Sequence, residues 1–490
     1  MIRRLALTLA LGASCALGQG LPDRPEKLAF APLAFQIPRA KDVKVVLRNK
    51  VPAYLVADPK GTPLVRITVF WRGGGFMEPK EKAGLAGLFG SQLAHGGTVK
   101  TDAARLEDRL EMLAATLASN CGETSGQIAL QVQDKDLKEG LDLLVQALTE
   151  PAFAQDRLDL AKRNARQALE RRNDAVTSIA QYQLSYLLYG DEFFMTRDST
   201  AASVESVTQD DLKAFHARLL HPANLAVAVS GKFDRAPMEA LLNATVGALK
   251  PGKDAQVSPK VPVPDFQRKP GVYVSDKDAP QASVQWVVPG LRRSDPEWHA
   301  AMVMNHILGG SFTGRLMKRI RSDEGLTYGV RTALGEGAYW RGDLTGTMQN
   351  KNRSVAYALR IALQEMQRLK DEALTAGDLK AIKEGLIESY PSQWGSRQAI
   401  ANRFAEDHLR GWPEDWWADY REKVQAVTPA DVQRMAKKIL DLDKAVVLAV
   451  GKASEMEPGD TDHPGTLREA TKLPYARLPL RDPLTLKPVQ

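Results

Sequence analysis

Cysteine is nearly absent: two occur in 490 residues. Cys15 lies in the N-terminal apolar segment, and Cys121 is the only one beyond it. A single cysteine cannot close an internal disulfide or build a cysteine-based zinc site, so the fold must rest on its core. Long apolar runs are missing too. After the first twenty residues no stretch approaches the roughly eighteen apolar residues that a membrane span requires. Charge of one sign is not massed. Lys+Arg is 66 against Asp+Glu 59, a net +7, with no block of five or more like charges. That gives no footprint for nucleic acid. Histidine is scarce, with seven in all. His299 and His306 share a helix face but sit two turns apart, about 10.5 Å, too far to hold one zinc ion. His216 and His221 fall on different faces, and His95 stands alone near a helix end. No set of metal ligands emerges.

What is present is ordinary for a folded protein: 44% hydrophobic and 26% charged residues. The first twenty residues, MIRRLALTLALGASCALGQG, begin with Arg3 and Arg4. An apolar stretch from Leu5 to Leu17 follows, then small residues at Ala16-Leu17-Gly18. This is the pattern of a secretory signal peptide over residues 1–18, too short to span a membrane. Export places the mature chain in the periplasm or beyond it, with no membrane span. Leu11 is one residue too early for Cys15 to read as a lipoprotein site.

The chain repeats itself. Val207-Thr208-Gln209-Asp210-Asp211 opens a segment that ends Val229-Ser230-Gly231-Lys232. Val427-Thr428-Pro429-Ala430-Asp431 opens another that ends Ala449-Val450-Gly451-Lys452. Both ends carry the same offset of 220 residues, without a gap. Each copy begins with a capping box, Thr208 with Asp211 and Thr428 with Asp431. Each then runs as a helix into an apolar strand. A matched cap, strand and end at one offset indicates duplication.

A proline-rich segment, 250–271, fits as the joint. It separates an N-terminal half, 40–249, from a C-terminal half, 272–465, and residues 466–490 read as an extended tail. In the first half, 43–47 and 53–57 read as a hairpin, 64–71 and 125–132 as strands, and 101–116 and 153–174 as helices. In the second, strands fall near 282–289 and within 327–348. Strands come in adjacent groups and helices in runs. The expected fold is α+β: two homologous α/β-sandwich halves, each a largely antiparallel sheet packed with helices.

Gly74-Gly75-Phe76-Met77-Glu78-Pro79, then Ala83-Gly84-Leu85-Ala86 and Gly96-Gly97-Thr98, resemble the pitrilysin/insulinase-type metallopeptidases, which include mitochondrial processing peptidase. In that family the helix beginning Gly-Leu-Ala carries H-x-x-E-H. The two histidines hold zinc, and the glutamate is the general base for zinc-bound water. This chain departs there. Gly87, Gly90 and Ser91 occupy the three positions, and Gln167 or Ala168 falls where the family's third ligand, a glutamate, is expected. No metal is expected on this chain. Gly84, Gly87 and Gly90 on one helix read either as close packing or as a site left open where ligands once stood.

The second half matches the same family through Gly309-Gly310, Gly314-Arg315-Leu316 and Arg321-Ser322-Asp323-Glu324-Gly325-Leu326-Thr327-Tyr328. In the family an arginine and a tyrosine at this spacing cross the cavity to the substrate. The resemblance therefore assigns Arg321 and Tyr328 to substrate contact and to the developing oxyanion. A guanidinium and a phenol aimed at a carbonyl turning tetrahedral stabilise its charge. Ser119, Asn120, Cys121 and Gly122 resemble the edge strand on which such peptidases lay an extended substrate. Trp412, Trp416 and Trp417 are expected to pack a helix into the core.

The resemblance covers about 40–455. It implies a zinc-less subunit of a heterodimeric metallopeptidase, inactive alone. A zinc-bearing homologous partner would supply the metal, and this chain would supply Arg321 and Tyr328 for cleavage of a peptide. The other reading is a non-proteolytic scaffold or peptide-binding protein of the same fold.

Overall fold

The computed structural model describes Arg24 and residues 35–489, except 253 and 267. The signal segment 1–18, with Cys15, lies outside the described residues. From Ile37 onward the chain forms one unit by its contacts.

Among the described residues twelve strands make two six-stranded sheets. The first holds β1 (Lys44–Val46), β2 (Pro52–Ala57), β3 (Leu64–Arg72), β4 (Thr116–Cys121), β5 (Ser125–Gln133) and β6 (Leu225–Gly231) in the order β1-β2-β6-β3-β5-β4. The second holds β7 (Gly271–Asp276), β8 (Gln281–Pro289), β9 (Thr327–Leu334), β10 (Asp343–Lys351), β11 (Val446–Gly451) and β12 (Tyr475–Leu478) in the order β12-β7-β11-β8-β10-β9. From β2 and from β7 onward the two orders are the same. Each sheet has one parallel pair at this place, β2 with β6 and β7 with β11, and is antiparallel from there to its far edge. The extra edge strand differs: β1 runs antiparallel to β2, whereas β12, drawn from the tail, runs parallel to β7.

The helices that matter for the site are α1 (Leu85–His95), α2 (Gln155–Glu170), α3 (Val176–Tyr189), α4 (Gln209–Leu219), α5 (Arg397–Arg410) and α6 (Pro429–Ile439). Both capping boxes form. Asp211 N–H donates to Thr208 Oγ1 at 3.2 Å and Thr208 N–H to Asp211 Oδ2 at 2.7 Å. The copies at Thr428 and Asp431 measure 3.2 and 2.9 Å.

The halves exchange a helix. α3, from the first half, packs on β11 and β8 of the second sheet. It buries Ile179, Ala180, Tyr182, Leu184 and Leu188 against Val287, Val446, Leu448 and Val450. Each large side chain so buried contributes about 2 kcal/mol. α5, from the second half, packs in turn on β6, β2 and β3 of the first sheet. There Phe404 meets Tyr54 at 5.9 Å between ring centroids. α3 and α5 stand at almost the offset the repeat shows elsewhere, so the exchange belongs to the duplicated unit.

Two expectations need correction. The helix expected over 101–116 ends at Met112, because Ala114 turns to φ 46° and β4 starts at Thr116. Trp412, Trp416 and Trp417 lie in turns, not on a helix. α5 stops at Gly411, in the left-handed region at φ 73°, and Pro413 follows within two residues. Among the described residues no helix is long and apolar enough to cross a membrane.

Candidate functional site

α1 is set in place by the turn before it. Glu78 is buried, and its carboxylate accepts from the N–H of Gly84 at 3.1 Å and of Ala86 at 2.9 Å. An anion on the free N–H groups of a first turn suits the helix dipole. Gly84 enters the helix at φ 100°, where only glycine is unstrained. The N–H groups of Gly75 and Phe76 donate to the carbonyls of Gly122 and Glu123, so the same turn ties down the tip of the β4–β5 hairpin.

The three glycines, Gly84 at the N-cap of α1 and Gly87 and Gly90 within it, therefore differ in kind. Gly84 is a backbone requirement. Gly87 faces open space, with nothing within 4 Å of a Cβ added there. Gly90 is packed shut: its added Cβ would stand 2.2 Å from Cys121 N and 2.7 Å from Asn120 C. The helix has docked on the edge strand at the position where the resemblance puts the general base. Ser119 Oγ completes the contact by donating to Gly90 O. Gln167 and Ala168, on α2 beside α1, are exposed and offer no carboxylate. Among the described residues no three of His, Cys, Asp and Glu are grouped to hold a metal ion. The family's zinc does not fit these residues.

β4 is the edge of the first sheet. Of the assigned residues it holds three: Ser119 and Cys121 turn toward α1 and Asn120 toward solvent, while Gly122 follows its end. Burial pushes the Cys121 thiol up to about 12, which makes it a poor nucleophile. Asn120 and Gly122 line a cavity of about 300 Å³ together with Arg72, Glu406 and Arg410.

Glu123, beyond Gly122, is exposed as a residue, but its carboxylate lies against the α-carbon of Gly75. Burial of that group first, then the charges of Glu78 and Asp198, push it up to about 7.

In the second half the chain around Arg321 is irregular in two places. His306–Gly310 and Met317–Asp323 are π-helical, a rare geometry that gathers at functional sites. Gly309 packs on β9, less tightly than Gly90 on β4: its added Cβ would stand 3.1 Å from Thr332 N. Gly325, at φ 63°, ends the helix, with its N–H on Arg321 O at 3.1 Å. β9 then begins as the second sheet's edge. Tyr328 is 89% exposed on it. Arg321 is half-buried, its guanidinium 5.0 Å over the ring of Phe312, which is itself 70% exposed. Tyr328 lines a cavity of about 670 Å³, separate from the one at Asn120.

Sequence alone gives Phe312 no role, although it sits inside the Gly-Gly…Arg-Leu motif. Arg293 was also missed. It is buried, and its guanidinium lies 3.8, 4.0 and 4.0 Å over the rings of Trp412, Trp416 and Trp417. Its Nη1 bonds Glu336 at 3.1 Å. Burial lowers this guanidinium to about 10. The tryptophans were visible in the sequence, but the cation they enclose was not.

These features define an insulinase-type two-half fold whose metal-binding positions carry no ligands. The family model described as Insulinase (Peptidase family M16) matches residues 54–210, and the one described as Peptidase M16 inactive domain matches 206–386. The chain belongs to the M16 peptidase family. It is 26% identical over 393 residues to a Helicobacter pylori protein named non-peptidase homolog YmxG, covering 79% of this chain and 89% of that one. It is 22% identical to an uncharacterized zinc protease of Streptomyces coelicolor, covering 81% and 88%. A crystal structure of a peptidase M16 inactive domain from Pseudomonas fluorescens shares the fold at TM-score 0.75 and 22% identity, covering 85% of this chain and 99% of that one. A Helicobacter pylori protease matches at TM-score 0.71 and 15% identity, covering 83% and 98%.

Proposed function

We propose that this chain is the zinc-less subunit of a heterodimeric periplasmic metallopeptidase. It lends Arg321 and Tyr328 to a zinc site on a homologous partner, and the pair cleaves a peptide. The observation that carries this reading is the exposure of Tyr328 on the second sheet's edge strand, with Arg321 on the π-helical segment that leads into that strand. Among the described residues the Tyr328 hydroxyl has no hydrogen-bond partner, and the Arg321 guanidinium meets only the ring of Phe312. Neither side chain has an evident task within its own chain, while both are chemically suited to a carbonyl oxygen gaining charge. Zinc belongs to the partner in this scheme, and periplasmic placement rests on residues 1–18.

The test is co-expression with a zinc-bearing homologue and measurement of peptide cleavage by the purified pair, with Arg321→Ala and Tyr328→Phe beside the unaltered chain. Unchanged cleavage in both variants overturns the proposal.

A second reading, a peptide-binding or scaffold protein without proteolysis, draws on the relative named a non-peptidase homolog. Absence of peptidase activity in the native complex favours it.

A further inference from the structure

α3 covers only part of its face of the second sheet. It lies on β11 and β8, and beyond it Thr345, Thr347 and Gln349 of β10 and Arg331 of β9 are half-buried or exposed. The 670 Å³ cavity sits there, walled by α3 and floored by the sheet. Its lining combines the apolar side chains of Met317, Val330 and Met348 with amides, those of Gln181, Gln281, Gln285 and Gln349. Among the described residues Arg331 is the one charged side chain that lines it. Among the described residues none of these four glutamine side chains has a hydrogen-bond partner, and Arg331 has no carboxylate within ion-pair reach.

Register puts part of this lining in one row. Gln285 on β8 pairs with Thr347 on β10, and Thr347 pairs with Arg331 on β9. Neighbouring strands lie about 4.8 Å apart, so the carboxamide and the guanidinium rise roughly 10 Å from one another across the floor. The fold does not ask for such a row. At the same place in the first sheet the register reads Thr68, Ala129 and Ala118. The amide and the cation are particular to the second half.

We propose that this groove binds an extended peptide segment carrying an acidic side chain. The glutamine carboxamides, each with donors and an acceptor, meet main-chain N–H and C=O groups without regard to sequence. Arg331 meets the carboxylate through its paired N–H groups, the geometry in which arginine is most selective. Tyr328 at the rim places the groove beside the residue assigned to catalysis. The inference rests on the proposed function for its ligand, a peptide, but not on cleavage.

The test is fluorescence anisotropy on the isolated full chain at low salt, with labelled unstructured peptides of equal length bearing acidic, neutral or basic residues. The acidic peptide is expected to bind about tenfold tighter than the neutral one, the size of one charge-assisted contact. Arg331→Gln should remove that preference and leave neutral-peptide binding unchanged, and Arg331→Lys should restore part of it. Arg331 is exposed, so its variants should keep the parent circular dichroism. Equal binding of acidic and neutral peptides, or a preference that survives Arg331→Gln, overturns the proposal. Because binding is read without a partner, it can fail or succeed independently of the cleavage assay.

Discussion

Gly90 and Cys121 lie so close that a Cβ on the glycine would stand 2.2 Å from the cysteine's backbone nitrogen. No side chain fits between α1 and β4 at this point. Three residues earlier on the same helix, Gly87 has open space around it.

The contrast makes a direct prediction. Gly87→Ala should be neutral or stabilise by up to about 1 kcal/mol, since alanine is the better helix former. Gly90→Ala should destabilise by about 2 kcal/mol or more, because the backbone of β4 must move. Denaturant unfolding of the two variants measures the difference. Adding Gly87→His, Gly90→Glu and Ser91→His together should not yield stoichiometric zinc after dialysis, as read by metal analysis.

Glu123 gives the chain a pH-dependent stability. Its carboxyl titrates near 7 in the folded chain and near 4.5 when free. The folded state therefore holds this proton more tightly than the unfolded state does. That stabilisation is complete below about pH 4.5 and is lost as pH rises through about 7. Water screens part of the effect because the residue is partly exposed, so the slope is modest. Melting temperatures from pH 5 to 8 should fall more steeply for the parent than for Glu123→Gln.

Arg293 should resist conservative replacement. Its planar guanidinium contacts three indole rings and Glu336 at once. A lysine ammonium cannot reproduce those stacks, each worth about 0.5–2 kcal/mol. Arg293→Lys is expected to cost about 2 kcal/mol in thermal or denaturant unfolding. Since α5 packs on the first sheet just before these tryptophans, the loss should also loosen the junction between halves. Faster amide exchange along α5 would register that.

Much of this architecture was legible in the sequence, and for physical reasons. Thr208–Asp211 and Thr428–Asp431 are local devices, so their spacing exposed both the helices and the duplication. The swap of α3 and α5 was not legible. Residues 176–189 show a buried face, but no periodicity says which sheet will bury it. The 220-residue offset does relate 176–189 to the region of 397–410, and that pairing was the available clue. At the site, the missing H-x-x-E-H was plain from Gly87, Gly90 and Ser91. Only three-dimensional contact separates an open position, Gly87, from a closed one, Gly90. Likewise Trp412, Trp416 and Trp417 stood out as a cluster, while Arg293, over a hundred residues away, gave no sign that it lay among them.

The central claim is that Arg321 and Tyr328 act on a substrate held at another chain's zinc. The most direct measurement is the kcat/KM of peptide hydrolysis by the purified pair, made with the parent chain, with Arg321→Ala and with Tyr328→Phe. Each variant should assemble with the partner and leave its zinc in place, while kcat/KM falls by about a hundredfold, the usual effect of removing one oxyanion donor. Full activity with both variants, or with the partner alone, would contradict it.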